Sequence, residues 1–229
     1  MGIKKIILHI GSEKTGTSTI QEWFVKQRSS LLQHGILYPK SPGYMSHVKL
    51  AIYASNEPFN KELHQLYFPK EKKFSDVDFE NELHRELENT SAETVIFSNE
   101  HLSSCVRTQA GINKLIKLLK YFTSEIQLIF YIRRQDNFWL SHYSTEVIVG
   151  SPNSLQIPKD KDIFLYDYYS IVELWRKALD RNNIIVCRFG KKLQRTINLK
   201  YENETFISFV KRKLKTLSFV SKLKSLRVN

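Results

Sequence analysis

Lysine, glycine and a run of hydroxyl side chains crowd the stretch Ser12-Glu13-Lys14-Thr15-Gly16-Thr17-Ser18-Thr19, directly behind the apolar run Ile6-Ile7-Leu8-His9-Ile10. An apolar strand that turns through such a loop into an amphipathic helix makes a cradle for a phosphate-like group. The backbone N–H groups of the loop, the unpaired N–H groups of the helix's first turn and the helix dipole all favour negative charge at one point. Lys14 adds a full positive charge there. Capping a helix needs only one Ser or Thr, so this surplus of hydroxyls beside a lysine asks for more than a structural turn.

The order of residues separates this loop from that of the P-loop nucleotidases. There, the lysine follows the last glycine and precedes the hydroxyl that holds magnesium. Here Gly16 is followed by Thr17 and Ser18, and Lys14 stands two residues before it. The spacing suits one anionic group without a magnesium site. A second motif is Tyr131-Ile132-Arg133-Arg134-Gln135-Asp136-Asn137-Phe138-Trp139-Leu140-Ser141. Arg133 at the end of a strand and Ser141 two turns into the next helix can grip one phosphate, the guanidinium as a planar fork and the hydroxyl as a single donor. By itself a strand-end Arg pair is more often a surface salt-bridge feature; its weight comes from the first loop.

Hydrophobic periodicity supplies the elements that must position these groups. Strands are predicted over 4–10, 94–98, 126–132 and 184–188, and helices over 17–32, 112–122, 136–149 and 168–180. The first helix should face inward with Ile20, Trp23, Phe24, Gln27 and Leu31. Tyr38 to Gly43 is a punctuated break, and residues 47–88 read as polar, helical in places and interrupted by Pro58 and Pro69. Apolar strands alternating with helices predict an α/β, three-layer P-loop-like fold with a central, mainly parallel sheet flanked by helices. Ligands bind beyond the carboxyl ends of such strands. The Lys14 loop, Ser98-Asn99-Glu100-His101 and Arg133-Arg134 all fall there.

Together these residues resemble the sulfotransferases that use 3'-phosphoadenosine 5'-phosphosulfate (PAPS). In that family a Lys-Thr/Ser-Gly-Thr loop after the first strand holds the 5'-phosphosulfate, and a strand-end Arg with a Ser eight residues on holds the 3'-phosphate. The first pattern is matched by Lys14, Thr15, Gly16, Thr17 and Ser18, and the second by Arg133 and Ser141. His-Ile-Gly followed by Lys-Thr-Gly-Thr-Ser, with Tyr-Ile-Arg-Arg-Gln-Asp, looks most like the bacterial and carbohydrate-type branch. The likeness runs from about Ile6 to Arg188, and Arg188, Lys191 and Lys192 are candidates for further donor contacts. It implies PAPS as sulfuryl donor, no required metal, and a hydroxyl or amine of a glycan or glycolipid as acceptor.

The resemblance also implies roles. Lys14 stabilises the charge that develops on the leaving phosphate oxygen, and a base on the opposite side takes the acceptor's proton. Glu100, in a Ser-Asn-Glu-His context similar to the Ser-Ser-Glu of bacterial relatives, is the favoured base. His47, after the Pro/Gly break, sits where carbohydrate-type members bring a base down from the inserted region, and His101 is third. His9 reads as a satisfied sheet histidine, and Trp23, Trp139 and Trp175 as core, with Trp139 a neighbour for adenine.

A chain of 229 residues, 41% hydrophobic and 12% aromatic, is sized for one domain over 1–229. Residues 41–93 are expected as a helical insertion over the acceptor site and 203–229 as a basic C-terminal helix. Two cysteines exclude a disulfide framework, and neither stands in a metal-type cluster. With no signal-type cleavage site and no transmembrane run, the expectation is cytoplasmic. A net charge of +12 points to anionic partners. After Glu204 come Lys211, Arg212, Lys213, Lys215, Lys222, Lys224 and Arg227 without an acid. That segment is either a core helix with a solvated basic side or an amphipathic helix peripheral at a membrane surface. No nucleic-acid motif is present. A P-loop-like nucleotide kinase and a non-catalytic module for anionic ligands or membranes are the alternatives.

Overall fold

The computed structural model describes residues 2–70, 73–148, 150, 154–155 and 163–189, all within the compact unit Met1–Phe189. The basic segment expected at 203–229, with Lys191 and Lys192, lies outside the described residues. In chain order the elements are β1 (Lys5–His9), α1 (Thr17–Lys26), α2 (Arg28–Gln33), β2 (Ile36–Leu37), α3 (Val48–Ala54), α4 (Phe59–Tyr67) and α5 (Asp76–Glu88). They continue with β3 (Thr94–Ser98), α6 (His101–Ser104), α7 (Gln109–Lys120), β4 (Ile126–Ile132), α8 (Gln135–Ile148), α9 (Tyr168–Arg176) and β5 (Ile184–Arg188).

The sheet is all parallel in the order β2-β3-β1-β4-β5. β1 lies at its centre because its neighbours come from opposite crossovers, and the chain crosses from one side of β1 to the other between β3 and β4. The crevice beyond the carboxyl end of β1 is therefore the topological switch point, where doubly wound sheets hold ligands. Ile6, Leu8, Val95, Phe97, Leu128 and Phe130 are buried, as strands covered on both faces require. The α/β sheet-and-helix architecture is the one the sequence predicts.

Three local features differ from the sequence expectation. The first helix is interrupted at Gln27 (φ −101°, ψ 8°), which keeps Leu31 fully buried while the Arg28 guanidinium reaches the carbonyls of Tyr38, Pro39 and Tyr44. The two-residue β2 has no periodic signal of its own and forms by pairing Ile36 and Leu37 with Thr94 and Val95. Residues 47–88 are not uniformly polar: α3 buries Val48, Leu50, Ala51, Ile52, Tyr53 and Ala54 in the main core. α5 also reaches that core with Phe79, Leu83 and Leu87, and α4, between them, buries Leu63 alone.

Candidate functional site

The loop between β1 and α1 turns tightly because two residues adopt left-handed backbone: Gly16 at φ 77° and Lys14 at φ 63°. Glycine takes that conformation freely, whereas a lysine does so at a cost of about 1–2 kcal/mol. Its carbonyls are tied to surrounding protein. Gly11 O accepts from Ser103 Oγ (2.8 Å), Ser12 O from Thr15 Oγ1 (2.6 Å) and Lys14 O from Arg133 Nη1 (3.1 Å). The helix that follows starts bare. Gly16 is the N-cap of α1, no side chain caps the first turn and no acid stands in it. It shares the missing side-chain cap with α2, α3, α4 and α6, whereas α5, α7 and α9 are capped by Ser75, Thr108 and Asp167.

Beneath the loop two buried polar atoms have no hydrogen-bond partner: His9 Nε2 and Thr17 Oγ1. Both face the gap left by Gly11, where an added Cβ would stand 2.9 Å from His9 Nε2 and 3.2 Å from Thr17 Oγ1. Burying such groups unsatisfied costs about 1–3 kcal/mol each. An uncapped helix start, the unpartnered Thr17 hydroxyl below and Lys14 beside it form a cradle whose chemistry fits an anion. His9 is thus only half satisfied, with Nδ1 bonded to Ser98 Oγ at 2.8 Å. Burial pushes its pKa down to about 4, so the ring is neutral at physiological pH.

Arg133, at the end of β4, and α8 close the other side. Lys14 Nζ donates to Thr145 Oγ1 at 2.7 Å, and Thr145 in turn donates to the carbonyl of Ser141 one turn earlier. Ser141 therefore shares with Thr145 the α8 face turned to the loop. Arg188 ends β5 in register with Ile132, one strand further out, and is exposed. The structure so gathers Lys14, Thr15, Gly16, Thr17, Ser18 and Arg133 at one sheet edge, with Ser141 on the neighbouring helix and Arg188 at the rim. Trp23 and Trp175 are core; Trp139 is partly exposed.

The two expected bases fare differently. Glu100 precedes α6, stays partly exposed, and its Oε2 accepts from Gln21 Nε2 at 3.0 Å. Gln21 also approaches Ser98, which ties Glu100 to the floor of the site. His47 is fully buried. Its Nε2–H donates to Pro39 O (2.9 Å) and its Nδ1 accepts from Ser98 N (3.1 Å), and burial lowers its pKa to about 3. A histidine with both nitrogens committed to backbone and no solvent contact does not fit the base role expected of it; it joins the Pro39 loop to β3.

Sequence reasoning passed over Gln21, Thr145 and Glu13. Gln21 lies four residues after Thr17, hence on the same helix face, and Thr145 four after Ser141; the helical repeat carried both signals. Glu13 and Lys14 are neighbours in the chain, but the partner of Glu13 is His101, which becomes visible only when β1 and β3 are paired. Neither Cys105 nor Cys187 is in a disulfide, and the described residues hold no His, Cys, Asp and Glu group arranged for a metal. None of the described helices is long and apolar enough to cross a membrane.

No protein-family model matches the chain, and no curated protein matches it in sequence. Solved structures do match it. One, described as a sulfotransferase from Alicyclobacillus acidocaldarius, superposes over 86% of this chain and 77% of its own, with a TM-score of 0.52 and 13% identity. The class is thus defined by fold: an α/β, P-loop-like domain with the architecture of that sulfotransferase.

Proposed function

We propose that the chain transfers a sulfuryl group from PAPS to a hydroxyl or amine of a glycan or glycolipid. The observation that carries this reading is the joining of Lys14 and Arg133 above an uncapped helix start. These are the residues whose sequence pattern resembles the two ends of the donor site. The fold shared with a sulfotransferase supports the same reading.

In such a transfer the bond between sulfur and the bridging phosphate oxygen breaks as a bond from sulfur to the acceptor oxygen or nitrogen forms, and the acceptor's proton must leave. Little covalent work falls to the protein. Lys14 exchanges Thr145 Oγ1 for the leaving oxygen and neutralises its growing charge; one such preorganised donor is worth on the order of 3 kcal/mol. Thr15, Thr17, Ser18 and the first-turn amides hold the 5' end. Arg133, which spends one of its five donors on Lys14 O, turns the rest to the 3'-phosphate with Ser141, and Arg188 is the outer candidate. Glu100, oriented by Gln21, takes the proton. The excess of basic residues suits a polyanionic acceptor.

Thermal stabilisation by adenosine 3',5'-bisphosphate without metal tests the reading, beside ATP with magnesium and an unrelated oligonucleotide. Selective stabilisation by the bisphosphate, by mass action on the folded state, is the expected result. Stabilisation by ATP with magnesium alone would overturn it in favour of a kinase.

A further inference from the structure

The loop that follows β2 is tied down along its backbone and open at its tip. Arg28 of α2 donates to the carbonyl oxygens of Tyr38, Pro39 and Tyr44, and Tyr38 Oη donates to Met45 O at 2.6 Å. At Gly43, with φ 141°, an added Cβ would run into Ser46 O, so the turn admits only glycine. Two large apolar side chains nevertheless stand outside: Tyr44 is 67% exposed and Met45 39%. Arg28 Cζ lies 4.6 Å from the centroid of the Tyr44 ring and 5.3 Å from that of Tyr38, and Tyr38 stacks on Phe24 at 4.8 Å. The exposed ring is thus backed by a cation that is itself fixed to the core.

The order of the strands gives this loop its place relative to the chemistry. Along the carboxyl ends of β2-β3-β1-β4 come, in turn, this loop, Glu100, Lys14 and Arg133. In an in-line displacement the acceptor enters opposite the leaving oxygen. With the donor held by Lys14 and Arg133 beyond β1 and β4, the acceptor comes from the β2 side, past Glu100. The loop starts one strand spacing, about 4.8 Å, from β3. It is also bonded to the two residues before Glu100: His47 N donates to Ser98 O at 3.1 Å, and Asn99 Nδ2 to Ser46 Oγ at 2.6 Å. Tyr44 is two residues from Ser46, at most about 7 Å of backbone. A short run of sugar rings spans that distance.

We propose that Tyr44 is an acceptor-binding residue: a sugar ring of the acceptor stacks on it, C–H bonds against the π face, next to the sugar whose hydroxyl or amine meets Glu100. The proposal rests on the sulfuryl-transfer reading and gives that reading an acceptor contact. The negative face of an aromatic ring attracts weakly positive C–H groups. A sugar seated there also takes out of water an apolar surface that the fold leaves exposed. Arg28 is a positioning residue, since it holds the ring and the Tyr44 carbonyl at once.

Initial rates with the full chain, varying PAPS and an unsulfated glycan (chondroitin, heparosan or dextran), test the stacking. Tyr44→Ala and Tyr44→Leu should both raise the glycan KM about tenfold, with the PAPS KM and bisphosphate affinity unchanged. Tyr44→Phe and Tyr44→Trp should recover most of that loss, because each restores a ring; a hydroxyl contact would not be rescued by phenylalanine. Arg28→Lys, which lacks the fork that reaches three carbonyls, should raise the glycan KM as well and add little to Tyr44→Ala in the double variant. Additive losses would overturn the part given to Arg28. A glycan KM unchanged in Tyr44→Ala, a phenylalanine variant as poor as the alanine one, or a shift in PAPS KM instead overturns the proposal. So does bisphosphate stabilisation without transfer to any of the three glycans, which leaves the donor site standing. Absence of bisphosphate stabilisation overturns the sulfuryl-transfer reading itself.

Discussion

Arg133 Nη1 donates to the carbonyl oxygen of Lys14 at 3.1 Å, so the guanidinium at the end of β4 supports the backbone of the residue that carries the loop's positive charge. Arg133 also stacks near the Phe189 ring, its Cζ 5.9 Å from the centroid, and its own carbonyl accepts from Tyr168 Oη at 2.8 Å. It is thereby fixed from three sides. An anion held by Arg133 and one held by the loop are mechanically linked through this bond.

Arg133→Ala should weaken binding of adenosine 3',5'-bisphosphate by about 10- to 100-fold, in line with loss of a charge-assisted contact, and slow single-turnover transfer at saturating donor much less. Arg133→Lys should recover little, since a point charge cannot bond Lys14 O and a phosphate in the same plane. Calorimetric titration with the bisphosphate gives the first quantity and rapid-quench transfer the second. A loss confined to the chemical step would remove Arg133 from the donor site.

Lys14 stores backbone strain that a side-chain deletion can expose. Lys14→Ala and Lys14→Gly both remove the ammonium and its bond to Thr145, and both should abolish turnover. They differ in the left-handed conformation at φ 63°, which alanine tolerates poorly and glycine freely. The glycine variant should therefore be the more stable by about 1 kcal/mol, read as a difference between their urea midpoints. Equal stabilities would mean that the loop relaxes out of this geometry when the lysine is removed.

The strands and most helices were legible because their periodicity is strong: 94–98, 126–132 and 184–188 are strands with the predicted bounds. What the sequence concealed depended on tertiary pairing. β2 exists only as a partner to β3. The break at Gln27 has no proline or glycine to announce it, and the Arg28 contacts with Tyr38, Pro39 and Tyr44 accompany it. His47 followed a loop signal that looked like a route to the site, yet the chain after it is the apolar Val-Lys-Leu-Ala-Ile-Tyr-Ala, which drags the histidine inside. The candidate loop was legible because its chemistry is local. The Glu13–His101 pair was not, since its members lie far apart in the sequence and meet only through the fold.

His47 and Glu100 should separate cleanly by experiment. His47→Ala leaves Pro39 O and Ser98 N without partners and opens a hole among Tyr38, Phe97 and the neighbouring backbone. It should destabilise the fold by about 2–4 kcal/mol without changing the single-turnover rate per folded molecule. Glu100→Gln keeps the shape and the contact with Gln21 and should slow transfer by about 100-fold or more. A His47→Ala protein that folds normally but has lost the chemical step would restore the histidine as the base.

The buried histidines give stability a defined pH dependence with opposite limbs. His9 and His47 have folded pKa values near 4 and 3, below the ordinary 6.5. As pH falls below about 6.5 the unfolded chain takes up protons that the folded one refuses. Stability should then decline by at most about 1.4 kcal/mol per pH unit for each ring, ending as each folded pKa is reached. His101 acts in the other direction. Its folded pKa near 11 lies above 6.5, so its contribution is complete below about pH 6.5 and is lost as pH rises toward 11. Urea unfolding across this range should show an acid limb steeper than one proton and a shallower alkaline one. Glu13→Gln, by letting His101 titrate earlier, should flatten the alkaline limb and leave in place the part of the acid limb above pH 4.5, where Glu13 itself does not titrate. A variant that changes that part of the acid limb instead would mean that the Glu13–His101 pair is not what holds the charge.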